Sequence, residues 1–216
     1  MKKIASPLFQ DLSEAELDTL AAAGHLRTRQ FAKHEVIFHA GSCVREIGIV
    51  LRGSVYIENL DLWGTKSILS SVGAGQAFAE TYAFCGEALM VDAVAAEHCE
   101  ILFLHTAALT DARIEPALKD KLLRRLLAVS MRKNLSLSQR IFCTTPKTVR
   151  GRLLTYFSAQ AARCGRMEFE VPFNRQQMAD YLNLDRSALS KELCKMRDEG
   201  LLEFDKNRFV LKQLPE

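Results

Sequence analysis

The chain has little of what marks a membrane, secreted or metal-held protein. No apolar run reaches the roughly 18 residues that a membrane-spanning helix needs. The opening MKKIASPLFQDLSEAEL carries two lysines with no long apolar segment behind them, so no secretory signal is read there and the cytoplasm is the expected compartment. The six cysteines, at 43, 85, 99, 143, 164 and 194, contain no CxxC and no Cys/His grouping with zinc spacing. Disulfides are not expected in such a compartment, and buried free thiols are the expectation for most of the six. The five histidines are scattered; His34 and His39 lie five apart in a predicted strand segment, point to opposite faces and make no ligand pair. Eleven Gly and five Pro exclude collagen-like and low-complexity chains.

What is present is enough apolar residue, 48% against 25% charged, to bury a core in a chain of 216 residues, long enough for two domains. Its charge is uneven. Residues 1–108 hold 8 Lys and Arg against 13 Asp and Glu, a balance of −5; residues 109–216 hold 21 against 13, a balance of +8. An acidic front and a basic back point to a second part that meets a polyanion.

The apolar pattern changes along the chain. Residues 11–23 read as a short helix, with Leu12, Leu17 and Leu20 in a stripe and Ser13 with Glu16 as a capping box. From Arg29 to Leu104, short apolar stretches at 36–38, 47–51, 55–57, 68–70 and 101–104 alternate with glycines, the pattern of an antiparallel barrel or sandwich. A hairpin turn is expected near Trp63-Gly64. Residues 111–143 read as one long helix with Pro116 near its start. It carries two apolar stripes, one of Leu118, Leu122, Leu126 and Val129, the other of Leu123, Leu127, Met131 and Leu135. Two stripes need two things to pack on. Either the helix is buried on both sides, or one stripe faces the barrel and the other a partner helix across a dimer axis. On the dimer reading, Leu126→Lys is expected to break the seam.

After Thr145-Pro146-Lys147, a helix is expected over 149–164 and a strand over 168–171. A helix capped by Asn174, a turn at Asn183-Leu184, a helix capped by Asp185 and a hairpin around Asp205-Lys206-Asn207 follow. Helix, turn, helix and hairpin make a winged helix-turn-helix. In the second helix Leu189, Leu193 and Met196 share one face, while Arg186, Ser187, Ser190, Lys191 and Lys195 share the other. The second face suits the DNA major groove: Arg186 and Lys191 can donate to guanine, and Ser187 and Ser190 are adaptable. Asn174 and Arg175 suit phosphate contact, which positions without specifying.

NRQQMADYL followed by RSALSKEL resembles the helix-turn-helix of CRP/FNR-family transcription regulators. Phe38-His39-Ala40-Gly41, Leu51 to Ile57 and Gly75-Gln76-Ala77-Phe78-Ala79-Glu80 resemble that family's cyclic-nucleotide-binding β-roll. The resemblance covers nearly the whole chain. It implies an α+β fold: a cyclic-nucleotide-binding-type β-roll (antiparallel jelly roll) over 1–110 that senses an effector, a long dimerisation helix over 111–144, and a winged helix-turn-helix DNA-binding domain over 145–216. It implies a homodimer on inverted-repeat double-stranded DNA, with RNA polymerase as a further partner, no enzymatic activity and no membrane. Glu80 matches the family's glutamate. The positions where cyclic-AMP-binding members carry Arg-Ser fall in Leu89-Met90-Val91-Asp92-Ala93, which has no cation and adds an acid. No cysteine precedes Cys43, so the family's iron–sulfur cluster is not expected, and no cofactor is assigned. Ser187 stands where many members have glutamate, which predicts a different half-site.

By the same resemblance, the effector pocket is bounded by Glu80, Tyr82, Leu89, Met90, Val91 and Asp92, with Ser136 and Ser138 as polar contacts from the long helix. Its apolar wall and single glutamate suit an uncharged effector other than cyclic AMP. Alternative readings are a redox-responsive regulator, with Cys85 as its switch, and a ligand-binding module without DNA activity. A metal enzyme on a cupin-like barrel lacks the His-x-His set it would need.

Overall fold

The computed structural model describes residues 4–60 and 66–212. The chain divides into two compact units, Met1–Arg132 and Lys133–Glu216. The division falls within a single long helix, α3 (Pro116–Thr144).

The first unit opens with a 3₁₀ turn and α1 (Glu14–Ala22), whose capping box is the Ser13–Glu16 pair. Strands β1 (Leu26–Phe31), β2 (Val36–Phe38), β3 (Glu46–Arg52), β4 (Ser54–Leu60), β5 (Lys66–Gly73), β6 (Ala77–Phe78), β7 (Asp92–Ala95) and β8 (Cys99–His105) follow, with α2 (Glu80–Cys85) between β6 and β7. They form two four-stranded antiparallel sheets, ordered β1-β8-β3-β6 and β2-β7-β4-β5, which is the expected jelly roll. The expected Trp63-Gly64 turn between β4 and β5 lies outside the described residues. His34 and His39 flank the three-residue β2 rather than lying in it; His34 sits in the preceding turn with φ 68°.

The β3–β8 pair explains the continuous apolar runs at 47–50 and 101–104. Val50, Cys99, Ile101 and Phe103 point into the roll, where they meet Phe31, Phe38, Val55 and Phe78. The alternate residues Ile47, Ile49, Leu102 and Leu104 point the other way, onto Leu17 and Leu20 of α1 and Leu118, Leu122 and Leu126 of α3. A strand buried on both faces needs apolar residues at every position. Gly48 is required inside: a Cβ there would lie 2.3 Å from the Phe78 ring.

In the long helix, residues 111–115 precede the first turn instead of joining it, and Pro116 takes the start where its missing N–H costs nothing. The first leucine stripe is the one that packs on the roll.

The second unit contains the end of α3, α4 (Val149–Cys164), β9 (Glu168–Glu170), α5 (Arg175–Leu182), α6 (Arg186–Asp198), β10 (Leu202–Asp205) and β11 (Arg208–Leu211). Its three strands order β10-β11-β9. Leu153, Phe157, Phe169, Met178, Leu182, Leu189, Leu193, Met196 and Phe209 form its core. Among the described residues no helix is long and apolar enough to cross a membrane, and no cluster of His, Cys, Asp or Glu could hold a metal.

Candidate nucleic-acid interface and effector segment

The turn between α5 and α6 is built by Asn183, which takes φ 53°, and by Leu184, whose N–H donates to Ala179 O at 2.9 Å. Asparagine tolerates this left-handed conformation better than most residues. Asp185 then caps α6, its Oδ1 accepting from the N–H groups of Ser187 at 2.8 Å and Ala188 at 2.9 Å. The Ser187 hydroxyl also donates to Asp185, so its proton is held by the cap. These bonds hold the Asp185 carboxyl below its ordinary pKa, the Ser187 hydroxyl contributing most.

Leu189, Leu193 and Met196 anchor α6 in the core. Arg186, Ser187 and Lys191 are exposed and Ser190 is half-buried, all within the first two turns; Ser187 and Lys191 lie opposite the core residues, while Arg186 is exposed at the start of the helix. Among the described residues Arg186 and Lys191 enter no ion pair. The arrangement presents two free cations and a hydroxyl from the N-terminal half of a rigidly seated helix, which suits donation to base edges and phosphates.

Asn174 caps α5 as expected, its side chain accepting from Gln177 N–H at 2.9 Å while Gln177 returns a bond to the Asn174 N–H. Arg175 is differently placed from a free phosphate ligand. Its guanidinium lies 5.0 Å from the Phe204 ring and 5.1 Å from the Phe209 ring, half-buried on the wing, and the desolvation lowers its pKa. The carbonyls at the other end of α5 are satisfied by arginines that the sequence did not mark. Arg140 donates to Asp180 O and Tyr181 O, both at 3.0 Å, and Arg152 donates to Leu182 O at 3.1 Å and Asn183 O at 2.7 Å. Orphan carbonyls at a helix C-terminus carry no sequence signal for a donor from elsewhere in the fold.

In the first unit, Ala79 takes φ 61°, a conformation costing a residue with a Cβ roughly 1–2 kcal/mol, and turns the chain so that Glu80 opens α2, buried at 5% exposure. The expected pocket wall is sorted into different roles. Tyr82 packs half-buried against the interior of the roll and Leu89 is part of that core. Met90 is 77% exposed. Val91 and Asp92 are half-buried, and Asp92 Oδ1 accepts from Ala40 N–H at 2.7 Å, pinning the turn after β2 to the start of β7. Ser136 and Ser138 are exposed on α3, in the second unit.

Only Cys99 and Cys143 are buried; Cys43, Cys85, Cys164 and Cys194 are exposed, against the expectation of mostly buried thiols, because α2, α4 and α6 each present a cysteine on their outer side. All six are free. The two stripes of α3 are also resolved. Leu126 is 7% exposed against the roll, while its neighbour Leu127 is 56% exposed, as are Leu123, Met131 and Leu135 to similar degrees. Leu126→Lys is therefore the wrong probe of a seam: the uncovered stripe is the other one.

The family model of the cyclic nucleotide-binding domain matches residues 28–113, and that of the Crp-like helix-turn-helix domain matches residues 151–216. No curated protein sequence matches the chain. Among solved structures, the catabolite activator protein of Thermus thermophilus is 25% identical, over 96% of this chain and 94% of that one, with a TM-score of 0.50. FixK2 from Bradyrhizobium japonicum is 19% identical over 87% and 93%, with a TM-score of 0.51. OCPA-complexed CprK is 13% identical over 94% and 91%, with a TM-score of 0.65. The last two likenesses are of fold.

Proposed function

Because the chain belongs to the CRP/FNR family of transcription regulators, with a cyclic nucleotide-binding domain followed by a Crp-like helix-turn-helix, we propose that it is an effector-responsive regulator that reads an inverted-repeat operator as a homodimer. The observation that carries this reading is the cationic side of α6, where Arg186 and Lys191 enter no ion pair among the described residues. Arg186, Lys191, Ser190 and Ser187 are assigned to base edges, the last as an acceptor because its proton is engaged. Asn174 and Arg175 are assigned to the phosphate backbone. The uncovered stripe of α3 is assigned to the dimer, with residues 1–110 as the sensing domain, 111–144 as the dimerisation helix and 145–216 as the DNA-binding domain. RNA polymerase is the partner through which such a regulator acts. Selection of duplexes from a randomised pool is the direct test, and a protein that enriches no sequence would sink the reading.

Arg175 has two duties on this view. Arg175→Ala is expected to weaken selected and random duplexes alike, reducing the salt slope by about 1. It should also cost the DNA-binding domain about 1 kcal/mol of stability through the lost stacking. Duplex titrations at several salt concentrations with a parallel urea melt check this; a loss confined to the selected duplex would reassign Arg175 to base reading.

The effector is assigned as an uncharged or weakly polar molecule with a donor for Glu80. Residues 80–95 contain no Lys, Arg or His, so a cyclic phosphate would have no charge-assisted partner in this segment. Calorimetry with cyclic AMP on the unmodified protein is expected to give no binding in the micromolar range. Val91→Arg is expected to raise the affinity; Asp92 is best left in place because its carboxylate holds the Ala40 N–H. A micromolar dissociation constant for the unmodified protein would overturn the assignment.

A further inference from the structure

The first turn of α4 holds both helices of the helix-turn-helix through two arginines two residues apart. Arg152 reaches the end of α5 and the turn, as described above, and its Nε also donates to Pro146 O at 2.9 Å. Arg150 reaches α6. Its Nε donates to Glu192 Oε1 at 2.6 Å, its Nη2 to Glu199 Oε1 at 2.9 Å, and its Nη1 lies 2.8 Å from Glu199 Oε2. One planar guanidinium thus uses all three nitrogens on two carboxylates. Glu192 and Glu199 are seven residues apart, two turns of one helical face. The anchor itself is rigid. Thr148 caps α4 by accepting from Gly151 N–H at 3.0 Å, and Gly151 packs so closely on Pro146 that a Cβ would lie 2.9 Å from the proline Cβ.

Two consequences follow for α6. The core residues Leu189, Leu193 and Met196 seat the helix on one side through close-packed contacts that carry no directional bond. A three-point charged fork fixed to a neighbouring helix adds directional bonds that set its rotation about its own axis. The fork also engages Glu192, which directly follows Lys191 and is the first acid on α6 after the cap.

We infer that Arg150 is a positioning residue for operator recognition, holding α6 through Glu192 and Glu199 so that Arg186, Ser190 and Lys191 meet base edges in one register. The inference rests on the assignment of α6 to DNA. The Glu199 carboxyl, held below its ordinary pKa chiefly by the Arg150 hydrogen bond, agrees with a pair that stays ionised.

Arg150→Lys is the primary variant, because lysine keeps the charge but is a point donor that cannot reproduce the fork. A duplex operator is first selected with the unmodified protein, and failure to enrich one overturns the DNA assignment together with this inference. With an operator in hand, Arg150→Lys is expected to bind it about tenfold more weakly while random-duplex affinity and salt slope hold. Glu199→Gln, an exposed change that removes the bidentate arm, is expected to lose about threefold in the same ratio. An unchanged operator-to-random ratio in both variants, or equal losses on both duplexes, overturns the inference while leaving the DNA assignment standing. The triple variant Arg150→Gln, Glu192→Gln, Glu199→Gln separates geometry from charge: its ratio should stay low, and full recovery would show that only neutralisation of the acids matters.

Discussion

Arg186→Ala is expected to lose roughly tenfold to a hundredfold in affinity for the selected operator, corresponding to about 1–3 kcal/mol, and to relax preference at one base pair of each half-site. The size follows from where Arg186 stands. It is the first residue of α6, just after the Asp185 cap, exposed and outside any ion pair among the described residues. Nothing in the fold is lost with its side chain, so the loss falls on binding alone. Lys191→Ala is expected to behave alike at a different base pair, one turn further along the helix. Repeating the selection with each variant is the decisive measurement. Enrichment of an unchanged sequence by Arg186→Ala would mean that Arg186 holds phosphate and that the register of α6 in the groove is different. The proposed half-site also depends on Ser187, whose hydroxyl donates to Asp185. That bond leaves Ser187 as an acceptor, a role short of the glutamate carboxylate found there in many relatives.

The second unit was largely legible in the sequence because its boundaries are local chemistry. Asn174 and Asp185 cap α5 and α6 with the side-chain bonds their residue types favour. Asn183 takes the left-handed turn, and Gly165 ends α4 at φ 65°. The roll was legible where strands are apolar and obscure where they are not. β1, Leu-Arg-Thr-Arg-Gln-Phe, is buried only at its two ends, so no apolar stretch marks it in the sequence. It holds its place through tertiary contacts that no local pattern reports. Arg27 lies 4.6 Å from the Phe103 ring and pairs with Glu46, and Arg29 lies 4.8 Å from the Phe31 ring. The family resemblance puts Asp92 in the effector segment, where cyclic-AMP-binding members carry Arg-Ser. The bond of Asp92 to the Ala40 N–H, 52 residues away, could not be read from spacing. The clamps of Arg140, Arg150 and Arg152 were hidden for the same reason: each joins segments distant in sequence.

The long helix shows how two adjacent leucines can carry opposite tests. Leu127→Lys is expected to place a charge on the uncovered stripe, weaken the proposed dimer and leave the fold of the monomer intact. Leu127 is 56% exposed, so a lysine there meets solvent when the partner is absent. Leu126→Lys is expected to do the reverse. Leu126 is 7% exposed among Leu118, Leu122, Ile47 and Leu102, and losing its packing alone costs about 2–5 kcal/mol. An unpaired ammonium in that core adds a desolvation cost, which falls on the roll itself. Sedimentation equilibrium and urea melts on the pair give a crossed outcome: Leu127→Lys should shift the monomer–dimer equilibrium at unchanged monomer stability, while Leu126→Lys should lower the unfolding midpoint sharply. Leu135→Lys, two turns further along the uncovered stripe and 60% exposed, should repeat the Leu127 result. A dimer that persists in both Leu127→Lys and Leu135→Lys with unchanged concentration dependence would remove this stripe from the seam. The exposed apolar face of α3 would then need a different occupant, since Leu123, Leu127, Met131, Leu135, Leu137, Ile141 and Phe142 are all exposed, and large contiguous apolar patches are rarely left to water.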